Sequence, residues 1–141
     1  MSVFAKRSVE TSFGNIYLST IAKIADEGSM NPLILTLDEK TNKIKHVPLK
    51  KIIYGEKPTM VVQCSSKHIC CTPDHLILTS VGHVRADEVE IGDKILLDNL
   101  SYTYVTGLIK ETKVRPVYDL YLDGGTNFTC FGLFIESAKG E

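Results

Sequence analysis

The sequence predicts an all-β domain, because many short runs rich in β-branched and aromatic residues recur at even spacing along the chain. Turn-forming residues separate these runs, as expected of strands joined by tight connections. Only residues 18–25 have the spacing of apolar residues that indicates an amphipathic helix, and this helix is short. At 141 residues, the chain is long enough for one domain with a single hydrophobic core.

The first half of the chain predicts one helix among short strands. Residues 8–17 are extended around a turn at 13–15, and the helix follows. Ser19 or Thr20 is a candidate N-cap of this helix, and Gly28 is a candidate for its end. Strands are predicted at 32–38, 43–47, 49–54, 59–64 and 68–71, with turns at 39–42 and 65–67 and a stop at 55–58.

The second half of the chain continues the pattern without a further helix. Its apolar runs are short, and none has the length that a buried helix needs. A tail at 138–141 is expected to be solvated. Strands are predicted at 76–78, 94–97, 102–105, 116–122, 127–130 and 133–135.

Charge and cysteine content narrow the classes of function. The chain has 16 basic and 17 acidic residues without a block of either sign, which argues against binding to nucleic acid or to a charged membrane surface. No stretch approaches the roughly 20 apolar residues that span a bilayer, and the N-terminal residues lack a signal core. The four cysteines fit a reduced, intracellular chain better than a disulfide-linked secreted one. They are Cys64, Cys70, Cys71 and Cys130.

The most informative motif is C-T-P-D-H-L-I-L-T at 71–79, which places a hydroxyl and an imidazole three residues apart just before an apolar run. Alone, a threonine three residues before a histidine is a weak signal. The segments G-H-V-R-A-D-E-V at 82–89 and I-G-D-K-I-L-L at 91–97 make the composite far more specific. The composite resembles the central block of the Hint family, which includes inteins, bacterial intein-like domains and the autoprocessing domain of hedgehog proteins.

The resemblance extends towards both ends of the chain. V-E-T-S-F-G at 9–14 matches the N-terminal V-x-T-x-x-G segment of the family, and counting back places the nucleophile of the family at Ser2. Most members have cysteine at that position. The C-terminal block is matched by V-Y-D-L at 117–120, N-F at 127–128 and F-G-L-F-I at 131–135.

The resemblance implies a fold and a domain organisation. A Hint domain over residues 2–137 would form a horseshoe-shaped β-fold with at most one or two short helices, followed by the tail. The two ends of the domain would meet near Thr72 and His75, because both junctions must reach one active centre. The interval 97–113 leaves no room for an inserted endonuclease, so a minimal form is expected.

Three positions depart from the family pattern in the C-terminal block. Thr126 stands where many inteins have a histidine, Glu136 replaces the penultimate histidine, and Ser137 replaces the terminal asparagine. The asparagine side chain cyclises to cut the chain, and a serine cannot form that succinimide. Cleavage at the C-terminal junction by this route is therefore not expected.

The resemblance also implies roles for individual residues. Ser2 would attack the preceding carbonyl, more slowly than a cysteine because a hydroxyl is a weaker nucleophile than a thiolate. His75 would protonate the departing nitrogen, Thr72 would hold and polarise the scissile peptide, and Asp119 would take part in proton transfer. A plainer alternative remains open for three of these residues. His75 could be a buried structural histidine, Thr72 a β-branched strand residue and Asp119 an outward-facing carboxylate.

Other side chains provide weaker candidates. Ser137, Thr126 and Glu136 are by position candidates for residual chemistry at the C-terminal junction, and Cys130 is either an accessory nucleophile or a small buried residue. The cysteines and histidines of 64–75 form a cluster whose spacing is not a usual structural zinc pattern. A further hypothesis is that zinc inhibits the domain by binding His75 and a neighbouring thiol. No metal is expected as part of the functional site itself. His46 and His83 are expected at the surface or in turns.

The predicted function is self-processing: an acyl shift at residue 2, followed by splicing, cleavage or transfer of the upstream polypeptide. The partner is the flanking chain in cis, with an external thiol or amine as another acceptor, and neither nucleic acid nor a membrane takes part. We expect a monomer that needs no cofactor. The alternatives are a Hint-fold linker or binding module without activity and an unrelated β-rich interaction domain.

Overall fold

The computed structural model describes residues 2–28, 30–110 and 113–139. These ranges confirm the all-β prediction, with one α-helix, α1 (Leu18–Glu27), and one turn of 3₁₀ helix at Ala86–Glu88. The strands in chain order are β1 (Val3–Phe4), β2 (Ser8–Thr11), β3 (Gly14–Tyr17), β4 (Leu33–Asp38), β5 (Lys43–Pro58), β6 (Met60–Cys64), β7 (Lys67–Cys71), β8 (Leu76–Thr79), β9 (Gly82–Arg85), β10 (Lys94–Leu96), β11 (Tyr102–Tyr104), β12 (Gly107–Ile109), β13 (Val114–Leu122), β14 (Asn127–Cys130) and β15 (Leu133–Glu136).

The larger sheet has the strand order β12-β6-β7-β1-β13-β5-β4-β2-β3 in the described ranges. The short strand β1 lies between two strands that are far from it in sequence. Val3 pairs with Cys71 of β7 on one side and with Tyr118 of β13 on the other, both antiparallel. The N-terminal residues are therefore inserted between the strand that leads to Thr72 and the strand that contains Asp119.

The smaller sheet has the order β11-β10-β8-β15-β14, and β9 pairs with β8. Ile135 of β15 lies opposite Ile77 of β8, so the C-terminal strand ends near the turn before β8. Every residue of β14 and β15 is buried, because β15 lies inside the smaller sheet and β14, at its edge, packs against β2 and β4 of the larger sheet. Their polar side chains Asn127, Thr129 and Glu136 are buried together with the apolar ones.

Strand β5 corrects one sequence prediction. Two strands at 43–47 and 49–54 and a stop at 55–58 were expected, but Lys43–Pro58 is one continuous strand. Its first part pairs with β4 up to Pro48, and its second part pairs with β13 from Leu49 onwards. Proline is tolerated at this change of partner, where its carbonyl accepts a hydrogen bond from Asp123 N at 2.9 Å.

The predicted helix is present, but its predicted N-cap is wrong. Tyr17 precedes the first turn, no side chain caps the helix, and Ser19 lies inside it. The amides of Leu18 and Ser19 donate instead to the carbonyls of Arg7 and Ala5, so these helical N–H groups already have partners. Gly28 ends the helix as predicted, in the left-handed conformation with φ 66°.

The chain beyond β15 remains in contact with the domain at Ala138. Its amide donates to Leu120 O at 2.9 Å, and it forms an isolated bridge with Tyr121 of β13. The predicted solvated tail therefore begins with a paired residue, and residues 140–141 lie outside the described ranges. The helices in the described ranges lack the length and apolar character that a bilayer-spanning helix needs.

Candidate active site

Ser2 is held by its backbone at the start of β1. Its amide nitrogen donates to Thr72 Oγ1 at 2.9 Å, and its carbonyl oxygen accepts from Thr72 N at 2.9 Å. Both residues are buried, with Ser2 only 1 % exposed. The hydroxyl of Thr72 therefore contacts the nitrogen of the peptide bond that precedes Ser2.

The hydroxyl of Ser2 lies between a carboxylate and an ammonium group. It donates to Asp119 Oδ1 and accepts a hydrogen bond from Lys57 Nζ at 3.0 Å. Lys57 Nζ is also 3.9 Å from the second carboxylate oxygen, Asp119 Oδ2. Strand β13 brings Asp119 to this position because its neighbour Tyr118 pairs with Val3, next to Ser2.

The imidazole of His75 joins the two ends of the domain. Its Nε2 lies 2.6 Å from the carbonyl oxygen of Glu136, and its Nδ1 lies 3.3 Å from the carbonyl oxygen of Ser2. Burial lowers the pKa of His75 below its usual value, although the carbonyls of Glu136 and Ser2 oppose this effect. The ring is therefore neutral at pH 7, and the shorter contact assigns its hydrogen to Nε2.

The C-terminal junction lies on the opposite side of this ring. Ser137 is 1 % exposed, and its amide donates to the carbonyl of Thr126 at 2.9 Å. Glu136 extends its side chain away from His75 into a cluster of charged groups. The structure thus brings Ser2, Thr72, His75 and Asp119 together and places the backbone before Ser137 against the same imidazole.

The partners of the Glu136 carboxylate were not predicted from the sequence. His83 Nδ1 lies 2.7 Å from Glu136 Oε2, Lys139 Nζ lies 2.8 Å from Glu136 Oε1, and His83 Nε2 contacts Glu39 at 2.7 Å. His83 is exposed, as expected, and bridges two carboxylates. Lys57 was also missed. Neither residue has a sequence signal, because each meets its partner only through strand pairing.

The thiols are not placed for nucleophilic attack. Cys130 is fully buried, and burial raises the pKa of its thiol to about 12. Burial likewise raises the pKa of Cys71 well above its usual value and that of Cys64 to about 11. This environment fits the alternative of a small buried residue at Cys130. Across the described ranges, no three His, Cys, Asp or Glu side chains are grouped to hold a metal ion.

Comparison with solved structures identifies the architecture. The DnaB intein from Synechocystis sp. PCC 6803 superposes with a TM-score of 0.85 at 19 % sequence identity, covering 98 % of this chain and 99 % of that chain. The chain has the Hint fold of a minimal intein. The bacterial intein-like domain from Clostridium thermocellum is similar to nearly the same extent. Its TM-score is 0.82 at 17 % sequence identity, and the match covers 96 % of this chain and 98 % of that chain.

A third Hint-fold structure, the DnaX mini intein from Spirulina platensis, has a TM-score of 0.80 at 22 % identity and covers 97 % of this chain and 100 % of that chain. No protein-family model matches the sequence, and no curated protein is similar to it. The predicted Hint fold is thus confirmed over nearly the whole chain. At these identities the likeness establishes the fold, so the chemistry has to be argued from the side chains.

Proposed function

We propose that this Hint domain is a self-processing domain that converts the peptide bond before Ser2 into an ester and then releases or transfers the upstream polypeptide. The observation that carries the proposal is the pair of contacts made by Ser2. Its hydroxyl donates to the carboxylate of Asp119, while its amide nitrogen donates to Thr72 Oγ1 at 2.9 Å. The nucleophile thus has a proton acceptor beside it, and the leaving nitrogen has a hydroxyl that holds it in place.

The acyl shift moves one hydrogen and exchanges one bond. As Ser2 Oγ attacks the carbonyl carbon of residue 1, Asp119 accepts the hydroxyl proton. The carbon–nitrogen bond then breaks, and the nitrogen, held by Thr72, takes up a proton from His75, whose ring has bound one from solvent at Nδ1. Asp119 returns the hydroxyl proton to solvent, so one proton enters and one leaves. The net change is an ester on Ser2 and a free amine on the same residue.

The second step needs a further nucleophile. A thiol, an amine or water attacks the ester carbonyl carbon, the ester bond to Ser2 Oγ breaks, and the hydroxyl regains its proton. The burial of Ser2 limits the access of bulk water and favours transfer to a nucleophile bound nearby. Ser137 cannot cyclise as asparagine does, so the C-terminal junction stays intact, and cleavage or transfer is proposed rather than complete splicing.

A reporter fused upstream of residue 2 tests the proposal. In the Ser2→Cys form we expect dithiothreitol to release the reporter, because the thioester formed there exchanges with an external thiol. His75→Ala in the same fusion should abolish release. The matched control is His46→Ala, since His46 is exposed on β5 and remote from the pair of junctions. Cleavage is followed by gel electrophoresis and intact mass.

An intact Ser2→Cys fusion would contradict the proposal. Circular dichroism of the same sample establishes that the domain is folded, so failure cannot be attributed to unfolding. That result would favour the alternative in which the Hint fold serves as a linker or binding module without chemistry.

A further inference from the structure

Lys57 is the charged group in contact with the Ser2 hydroxyl that neither the motifs nor the resemblance assigned. It lies near the end of β5, and its Nζ donates to Ser2 Oγ at 3.0 Å. Its distance to Asp119 Oδ2 is longer, 3.9 Å. The ammonium group is therefore directed at the attacking oxygen more closely than at the carboxylate beside it.

A serine nucleophile depends on a neighbouring cation more than a cysteine does. A thiol loses its proton near neutral pH, whereas a hydroxyl must develop negative charge on oxygen while it attacks. A cation 3.0 Å from that oxygen stabilises the charge as it forms. Because Ser2 is buried, water screens this interaction less than it would at the surface.

We propose that Lys57 is a catalytic residue that makes Ser2 competent as an oxygen nucleophile in the acyl shift. The inference rests on the proposed function. Asp119 accepts the hydroxyl proton, Oγ forms its bond to the carbonyl carbon of residue 1, and Lys57 holds the oxygen while it carries negative charge. Lys57 keeps its own protons throughout, so the net reaction is unchanged.

The plainer role for Lys57 is an ion pair that orients Asp119. The Lys57 side chain is 45 % exposed and its distance to Asp119 is long, so the pair itself adds little stability. An orienting role would affect every nucleophile at residue 2 equally. Stabilisation of an oxygen anion would affect serine far more than cysteine, and this difference separates the two roles.

The experiment compares four reporter fusions: the parent, Lys57→Met, Ser2→Cys and the double variant. Hydroxylamine is the trap, because it attacks an ester or a thioester at the carbonyl carbon and leaves the upstream chain as a hydroxamate. We expect Lys57→Met to slow cleavage of the serine form about 100-fold, the typical effect of losing one donor to a developing oxyanion. The cysteine form should be almost unaffected, and Lys57→Arg should restore part of the serine rate.

Lys45→Met is the matched control, since Lys45 lies on the same strand opposite Thr36, away from Ser2. If the Ser2→Cys fusion is not cleaved at all, the proposed function fails. If it is cleaved while Lys57→Met slows both forms equally, or neither, only the role of Lys57 is overturned. That role is also overturned if the cysteine form is cleaved and the parent forms no trappable ester.

Discussion

Asp119 is the residue on which the proposed chemistry depends most directly. Asparagine has the same shape and still accepts the hydrogen bond from Ser2 Oγ, but it cannot take the proton. We expect Asp119→Asn to slow hydroxylamine cleavage of the parent fusion by about 100-fold or more, the usual contribution of a general base. Asp123→Asn, an exposed position just beyond β13, is the control. An unchanged rate in Asp119→Asn would exclude the carboxylate as the base.

Single residues were predicted where a local motif specifies them. Thr72 and His75 stand in one short segment, and the resemblance placed Ser2 and Asp119 by counting within its end blocks. Lys57 was not predictable because it meets Ser2 across 55 positions of the chain. The contact depends on which strands are neighbours, and the sequence does not specify that order.

At the scale of elements, the end of β15 is held by the ionised side chain of Glu136. Hydrogen bonds to Lys139 and His83 lower the pKa of Glu136 below its usual 4.5, although burial alone would raise it. Burial also lowers the pKa of His83, but its hydrogen bonds to Glu39 and Glu136 outweigh this effect and raise it above 6.5. Each partner thus favours the charged form of the other.

The ion pair of His83 and Glu136 is expected to stabilise the fold within a limited range of pH. The raised pKa of His83 stabilises the fold fully below pH 6.5, and this contribution is lost as pH rises through the pKa of the folded state. The lowered pKa of Glu136 contributes above pH 4.5 and is lost as pH falls through its folded value. We expect His83→Gln to lower the free energy of unfolding most between pH 4.5 and 6.5, and progressively less above this range. Urea denaturation measures this, with His46→Gln as control; a pH-independent difference would contradict it.

Most elements were predicted, and the failures have local physical causes. Pro48 and the residues around Gly55 were interpreted as breaks, but β5 only changes partners there and its backbone remains paired. The cap of α1 was sought among side chains, whereas backbone carbonyls supply it. The two-residue strand β1 has too little sequence to produce a periodic pattern.

At the scale of the whole molecule, His75 lies where both ends and both sheets meet. The pKa of His75 is lower in the folded state than the usual 6.5 of the unfolded chain. At pH values between these two, His75 is protonated in the unfolded chain and neutral in the folded one. The stabilising contribution of the neutral ring is therefore present above pH 6.5 and is lost as pH falls through the folded pKa. We expect the urea midpoint of the parent to decrease from pH 7.5 to pH 5 more steeply than that of His75→Gln.

His46→Gln should keep the steep dependence of the parent, because His46 is exposed on β5. Parallel curves for the parent and His75→Gln would show that burial of this imidazole does not govern acid stability.

The overall fold was predictable from motifs spread over the chain, even though the solved structures with the same fold are only 17–22 % identical to it in sequence. The order of strands in each sheet was not, because it depends on distant pairings.

The two contacts of His75 make one imidazole a partner of both ends of the domain. A neutral imidazole has one hydrogen, yet two carbonyl oxygens face its two nitrogens. The beginning and the end of the domain therefore compete for the same hydrogen, and serving one leaves the other without a donor. A hydrogen drawn to Nδ1 by the carbonyl of Ser2 is withdrawn from the carbonyl of Glu136, so a structural change at either end of the domain is transmitted to the other through this ring.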